Sequence, residues 1–131
     1  MITHDLRVLA DAIQDKKGRE VISLDLREID GRICDFFMVC NADSTTNVAA
    51  IADNVIKEAR EQLGIKPLRI QGMENNFWII IDFGNILVHI FQTPYREFYR
   101  LEDLWADAPK KSYRERSLSE KKKANGKKEQ Q

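Results

Sequence analysis

The residues of this chain whose types could do chemistry are two histidines, two cysteines and a set of carboxylates on apparent strands, and their spacing supports little catalysis. Cys34 and Cys40 lie six apart, with no C-x-x-C and no histidine at ligand spacing, so they read as reduced packing thiols rather than a zinc or redox site. His4 and His89 fall in different elements. His4 reads as a solvated first-turn residue, and His89 as a hydrogen-bonded structural or interface group rather than a catalytic base. Asp25, Asp35 and Asp82 sit on separate predicted strands and could converge, as a two-metal phosphoryl-transfer site requires. None forms a D-x-D pair, however, and the loop NADSTT lacks the Gly-Ser pair that would grasp a phosphate. Asp82-Phe83-Gly84 matches the kinase DFG triplet, but no Gly-rich loop, V-A-I-K strand or H-R-D loop accompanies it. There is no G-x-x-x-x-G-K-[ST], H-E-x-x-H or G-x-S-x-G either, so no catalytic residue, metal or cofactor is expected.

The run FWIIIDFGNILVHIFQTPYREFYRLEDLW over residues 77–105 is more informative. Gly84-Asn85 between two β-rich segments signals a two-residue hairpin turn, glycine supplying the positive φ. Phe83 then pairs with Ile86, and outward from it Asp82 with Leu87, Ile81 with Val88, Ile80 with His89, Ile79 with Ile90, and Trp78 with Phe91. Side chains alternate faces along a strand. One face is therefore Phe77, Ile79, Ile81, Phe83, Ile86, Val88 and Ile90, a core surface. The other carries Trp78, Ile80, Asp82, Leu87, His89 and Phe91, the composition of a partner-binding surface or of a second core with polar partners.

Around the hairpin, Ile2, Leu6, Leu9, Ala10 and Ile13 recur at helical spacing, with Lys16-Lys17-Gly18 as the stop. Residues 21–26 and 34–41 read as strands separated by an Asp30-Gly31 turn. Asp43, Ser44 and Thr45 are candidate caps for a helix with an apolar stripe Val48, Ile51, Ala52, Val55, Ile56, Ala59 and Leu63, ended by Gly64. Residues 67–71 form a short strand before the hairpin. Thr93 as cap and Pro94 at the first position open a third helix containing Tyr95, Phe98 and Tyr99, after which Leu101, Leu104 and Trp105 either extend it or fold back on the core. The order αββαβββα implies an α/β fold, a mixed sheet of about five strands with helices packed on it.

At 131 residues the chain suits one domain. It has no 18-residue apolar run and no apolar, basic leader, which points to a cytoplasmic protein with no membrane contact. The net charge of zero hides an asymmetry. Residues 110–131 hold nine Lys or Arg against three Glu, a net +6, and residues 1–109 hold the remaining 12 basic and 18 acidic groups, a net −6. An acidic body suits a basic protein surface as partner. Residues 110–131 have few large apolar groups and read as a disordered basic tail beyond a domain of residues 1–109, serving solubility or salt-sensitive contact with nucleic acid.

The stretch from Cys34 through Asp43-Ser44-Thr45-Thr46, then Gln71-Gly72, Trp78, Asp82-Phe83-Gly84, Val88-His89-Ile90-Phe91 and the string REFYRLEDLW over residues 96–105 resembles the ribosomal silencing factor (Iojap-like) family over roughly residues 5–109. The resemblance implies a nucleotidyltransferase-like fold without its catalytic motif and a non-enzymatic translation repressor. Such a factor would bind the large ribosomal subunit through large-subunit protein fourteen and block joining of the small subunit, possible self-association included. Trp78, Asp82, His89, Tyr99, Glu102, Leu104 and Trp105 would then form or support a hydrophobic and acidic ribosome-binding patch, with ribosomal RNA within reach of the tail. Two positions depart from the family pattern, Gln71 where glutamate is usual and Asn85 where aspartate is usual, each removing a negative charge. The rivals are a nucleotidyltransferase-like enzyme, revealed by nucleotide with magnesium, and a small RNA-binding module that uses the tail.

Overall fold

The structure is a computed structural model and describes residues 2–114. Helix α1 (Ile2–Asp15) leads into strands β1 (Arg19–Asp25) and β2 (Phe36–Ala42), then helix α2 (Thr45–Glu58), which widens into a π-helical turn at Ala59–Leu63. Strands β3 (Arg69–Gln71), β4 (Trp78–Asp82) and β5 (Ile86–Gln92) follow. Two short helices, α3 (Thr93–Tyr99) and α4 (Leu101–Leu104), precede strand β6 (Lys110–Tyr113). The six strands make one mixed sheet in the order β3-β4-β5-β2-β1-β6, in which β2 and β5 run parallel and the other pairs antiparallel.

The hairpin register follows from the Gly84 turn. β4 and β5 pair Trp78 with Phe91, Ile80 with His89 and Asp82 with Leu87, as alternation from the turn requires. Gly84 has φ 92°, and the Asp82 carboxylate accepts a 2.7 Å hydrogen bond from its amide, which ties the turn shut. Ile79, Ile81, Ile86, Val88 and Ile90 then enter a core closed by Leu9 and Ile13 of α1 and Val48, Ile51 and Val55 of α2. Each fully buried aliphatic side chain contributes about 1.5–3 kcal/mol, so this layer dominates the stability. Phe77 is not part of it: β4 begins one residue later, and Phe77 lies exposed, stacked on Tyr95 at 4.7 Å.

Local chemistry sets the helix ends. Ser44 caps α2 by accepting from the Asn47 amide at 3.1 Å, and Gly64, at φ 67°, ends it after the π turn. At the end of α1 the left-handed residue is Lys17, with φ 65°, while Gly18 is needed because a Cβ there would stand 2.2 Å from the Ile13 side chain. Thr93 is the first residue of α3 rather than its cap, a position taken by Gln92. The Thr93 hydroxyl instead donates to Asp43 and accepts from Asn41, both at 2.9 Å.

The sheet has a sixth strand where about five were expected, and that strand lies just past residue 109. Lys110–Tyr113 pairs antiparallel with β1, the Tyr113 hydroxyl lies 3.0 Å from that of Ser23, and the Gln14 amide donates to the Tyr113 carbonyl at 2.8 Å. Its sequence KKSY has one apolar residue and no alternation, because an edge strand with three solvated positions needs only Tyr113 to point inward. The remainder of the expected disordered tail, residues 115–131, lies outside the described residues.

Candidate protein-docking face

The opposite side of the sheet carries a second core. Ile22, Leu24, Leu26, Phe37, Val39 and Phe91 pack beneath Leu101 and Ala108, with Trp78, Leu87, Tyr95 and Trp105 at its margins. The chain reaches this side because Arg100, in the left-handed conformation at φ 48°, breaks the helical path after α3 and turns residues 101–108 back over the sheet. Of the two courses open to Leu101, Leu104 and Trp105, the chain folds back.

One buried arginine holds that arm down. The Arg96 guanidinium donates to the Glu20 carbonyl at 2.7 Å, to the Asn41 side chain at 2.8 Å and to the Glu102 carboxylate at 3.2 Å. Glu20 can offer its carbonyl because it sits at a bulge in β1, with φ 50° where the register to β2 shifts. Sequence reasoning missed Arg96. An arginine among charged neighbours reads as solvated, and its partners are remote in the chain.

On the mixed face of the hairpin, Trp78 stacks on Phe91 at 4.8 Å and meets the ring of Tyr99 at 4.9 Å. Its indole N–H donates to Nδ1 of His89 at 3.1 Å, which leaves the proton of the neutral imidazole on Nε2. His89 is buried, with its ring edge-on to Phe37 at 4.6 Å, and burial pushes its pKa down to about 4. Nε2 has no hydrogen-bond partner among the described residues. An unpaired buried donor costs about 1–3 kcal/mol. His89 also borders a groove of about 460 Å³ whose other walls are Ile33, Arg69, Gln71, Ile80, Asp82 and Leu87.

The sequence-predicted site residues therefore divide. Leu104 is 75% exposed and Tyr99 47%, and with Phe98 at 76% they mark the apolar surface of α3 and α4. Trp78 is half-buried beneath Tyr99, and Trp105 is half-buried, edge-on to Phe37 at 5.6 Å. Asp82 is occupied by the hairpin turn and by Arg69 at 4.0 Å, and Glu102 by Arg96. Phe98 was missed as a surface residue. Its neighbours Tyr95 and Tyr99 both turn a ring towards the sheet side, and nothing local shows that Phe98 does not.

Asp25 pairs with Arg27, Asp35 with Arg32 and Asp82 with Arg69, so each candidate carboxylate has its own cation. Among the described residues no group of three His, Cys, Asp or Glu could hold a metal ion. Burial raises the pKa of Cys34 to about 11 and that of Cys40 to about 12, which leaves both thiols protonated and inert near neutrality. No helix among the described residues is long and apolar enough to cross a membrane.

The profile of the family described as ribosomal silencing factor during starvation matches residues 2–131. The chain belongs to that family. The match runs past the roughly 5–109 span of the sequence resemblance and takes in β6 and the residues after it. A ribosomal silencing factor from Halalkalibacterium halodurans is 41% identical over 104 residues, covering 79% of this chain and 87% of the relative. A crystal structure of a Bacillus halodurans protein superposes with a TM-score of 0.72 at 36% identity, covering 85% of this chain and 99% of the other. A mouse protein named for mitochondrial assembly of the ribosomal large subunit is 24% identical over 103 residues, covering 77% of this chain and 45% of its own length.

Proposed function

We propose that this chain represses translation without catalysis, by docking on the large ribosomal subunit through large-subunit protein fourteen and standing where the small subunit would join. The observation that carries this reading is the exposure of Phe98, Tyr99 and Leu104 on α3 and α4, with Trp78 packed against Tyr99, on an acidic body. Three large exposed apolar side chains on successive short helices, interspersed in sequence with Glu97, Arg100 and Asp103, have the composition of a protein-binding surface. The net −6 of residues 1–109 steers that surface towards a basic protein. Family membership and the large-subunit name of the mouse relative favour the same partner.

Tyr99 and Leu104 are the contact residues in this reading; Trp78, hydrogen-bonded to His89, backs Tyr99, and Trp105 packs on Phe37 of the second core. Asp82 and Glu102 shape the hairpin turn and the arm. The protein works in the cytoplasm, self-associates reversibly, and reaches ribosomal RNA with the basic residues that follow β6. Sedimentation tests the central claim. Added before subunits are mixed, the protein should travel with isolated large subunits and deplete the joined ribosome peak. Equal binding to both subunits, or an unchanged joined peak, would overturn it.

A further inference from the structure

Along the β6 edge of the sheet the charge runs against that of the body. Residues 110–114 carry Lys110, Lys111 and Arg114 and no carboxylate, whereas residues 1–109 sum to −6. The fold gathers further cations there. The Arg7 guanidinium of α1 and the Lys111 ammonium of β6 each lie 5.1 Å from the centre of the Tyr113 ring, so the two charges stand within about 10 Å of one another, no more than a Debye length at ordinary salt. Arg7, Arg96 and Arg114 line one groove of about 660 Å³, in which Glu20 is the one carboxylate among the described residues. Arg96 is tied to Glu102, while Arg7 keeps a 3.6 Å pair with Asp11, too long for a hydrogen bond. Lysines on an edge strand guard it against pairing with a foreign sheet, and that accounts for Lys110. It does not account for guanidiniums from α1, α3 and the end of β6 meeting at one groove. Like charges gathered this closely repel, and a bound anion removes the repulsion.

We propose that this groove and the β6 edge bind the phosphodiester backbone of RNA, with Arg7, Lys111 and Arg114 each pairing with a phosphate. The proposal rests on the ribosomal RNA contact put forward above, which it extends from the residues after β6 onto the folded domain itself. Guanidinium forks match phosphate oxygens two at a time, and an ammonium meets them as a point charge. The cations follow the strand rather than surrounding one point, which suits a polymer with a charge on every unit better than a single small anion. The sequence prolongs the row with Arg116 and then Lys121, Lys122 and Lys123. Backbone contact of this kind carries no base preference and fades steeply with salt.

The test is the affinity of the full chain for a short RNA duplex of mixed sequence and for isolated large subunits, each across a salt series. Lys111→Glu/Arg114→Glu reverses two exposed charges at the site, and Lys57→Glu/Arg60→Glu makes the same change at exposed positions of α2 and its π-helical turn. The first pair should weaken duplex binding at least tenfold at low salt and flatten its salt dependence, and the second should change it less than threefold. Large-subunit binding by the first pair should fall at low salt and approach wild type at high salt. If that pair loses its thermal transition, Lys111→Gln/Arg114→Gln reads the same loss at smaller size. Equal losses in both pairs would overturn the proposal, because net charge alone would then explain them, and so would wild-type duplex affinity in folded Lys111→Glu/Arg114→Glu. Inorganic phosphate or polyglutamate that displaces the duplex at matched ionic strength would overturn it in favour of a discrete anion or an acidic protein. Duplex binding that depends on Lys111 and Arg114 in a protein that ignores large subunits would support the groove and remove the docking alone.

Discussion

At the scale of single residues, the proposed docking face combines groups that hold shape with groups that are exposed to solvent. Leu104, at 75% exposure, belongs to the second kind. Leu104→Glu should leave thermal stability within about 0.5 kcal/mol of wild type, as surface changes do, yet cost binding to the large subunit tenfold or more; an unchanged sedimentation profile would remove Leu104 from the interface. His89 belongs to the first kind. Its folded pKa of about 4 lies below the ordinary value of 6.5, so the folded protein takes up this proton less readily than the unfolded chain. The contribution of the neutral imidazole is complete above pH 6.5 and is lost as the pH falls towards 4. Urea unfolding should show stability lower by on the order of 2 kcal/mol at pH 4.5 than at pH 7, and His89→Phe should flatten that part of the profile. The sequence disclosed the identity of Trp78, His89, Tyr99 and Leu104 as unusual occupants of a strand face and a short helix. It did not disclose which of them meet solvent. That depends on how far the arm after Arg100 folds back, and the hydrogen bonds of Arg96 to Glu20 and Asn41, remote in the chain, help to set it.

At the scale of elements, the hairpin was legible residue by residue, because a two-residue turn with one glycine leaves a single register that buries an unbroken apolar face. β6 was not legible, since a strand that buries one side chain in four leaves no period to read. Its contribution can be measured. A chain ending at residue 109 loses Tyr113 from the core and should melt several degrees lower, the burial of one large side chain being worth about 2 kcal/mol. A chain ending at residue 114 should melt like the full-length protein. The turn between β3 and β4 offers a sharper test. Gly72 has φ 91°, and a Cβ there would lie 2.0 Å from the carbonyl oxygen of Trp78, a backbone atom that cannot swing aside. Gly72→Ala should therefore cost more than the roughly 1 kcal/mol of an ordinary left-handed glycine replacement, and should disturb Trp78 and the docking face with it. Stability and binding measured together should both fall; a variant that melts and binds like wild type would show that the turn relaxes freely.

For the whole molecule, the sheet separates two tasks. One side is sealed by α1 and α2 around a largely apolar core, and the other is half-covered by a short arm. The charge asymmetry adds a third region beyond β6, where residues 115–131 carry six Lys or Arg and three Glu. Removing those residues should weaken large-subunit binding modestly at low salt and hardly at all at high salt, without altering the preference between subunits; parallel salt slopes for the two chains would assign them to solubility alone. The placement of the two tryptophans has an optical consequence. Both Trp78 and Trp105 pack against the second core, and the helix-covered side has neither. Intrinsic emission is thus a one-sided probe: it should respond to whatever settles on the docking face and to protonation of the imidazole bonded to Trp78, while remaining blind to events on the outer surfaces of α1 and α2.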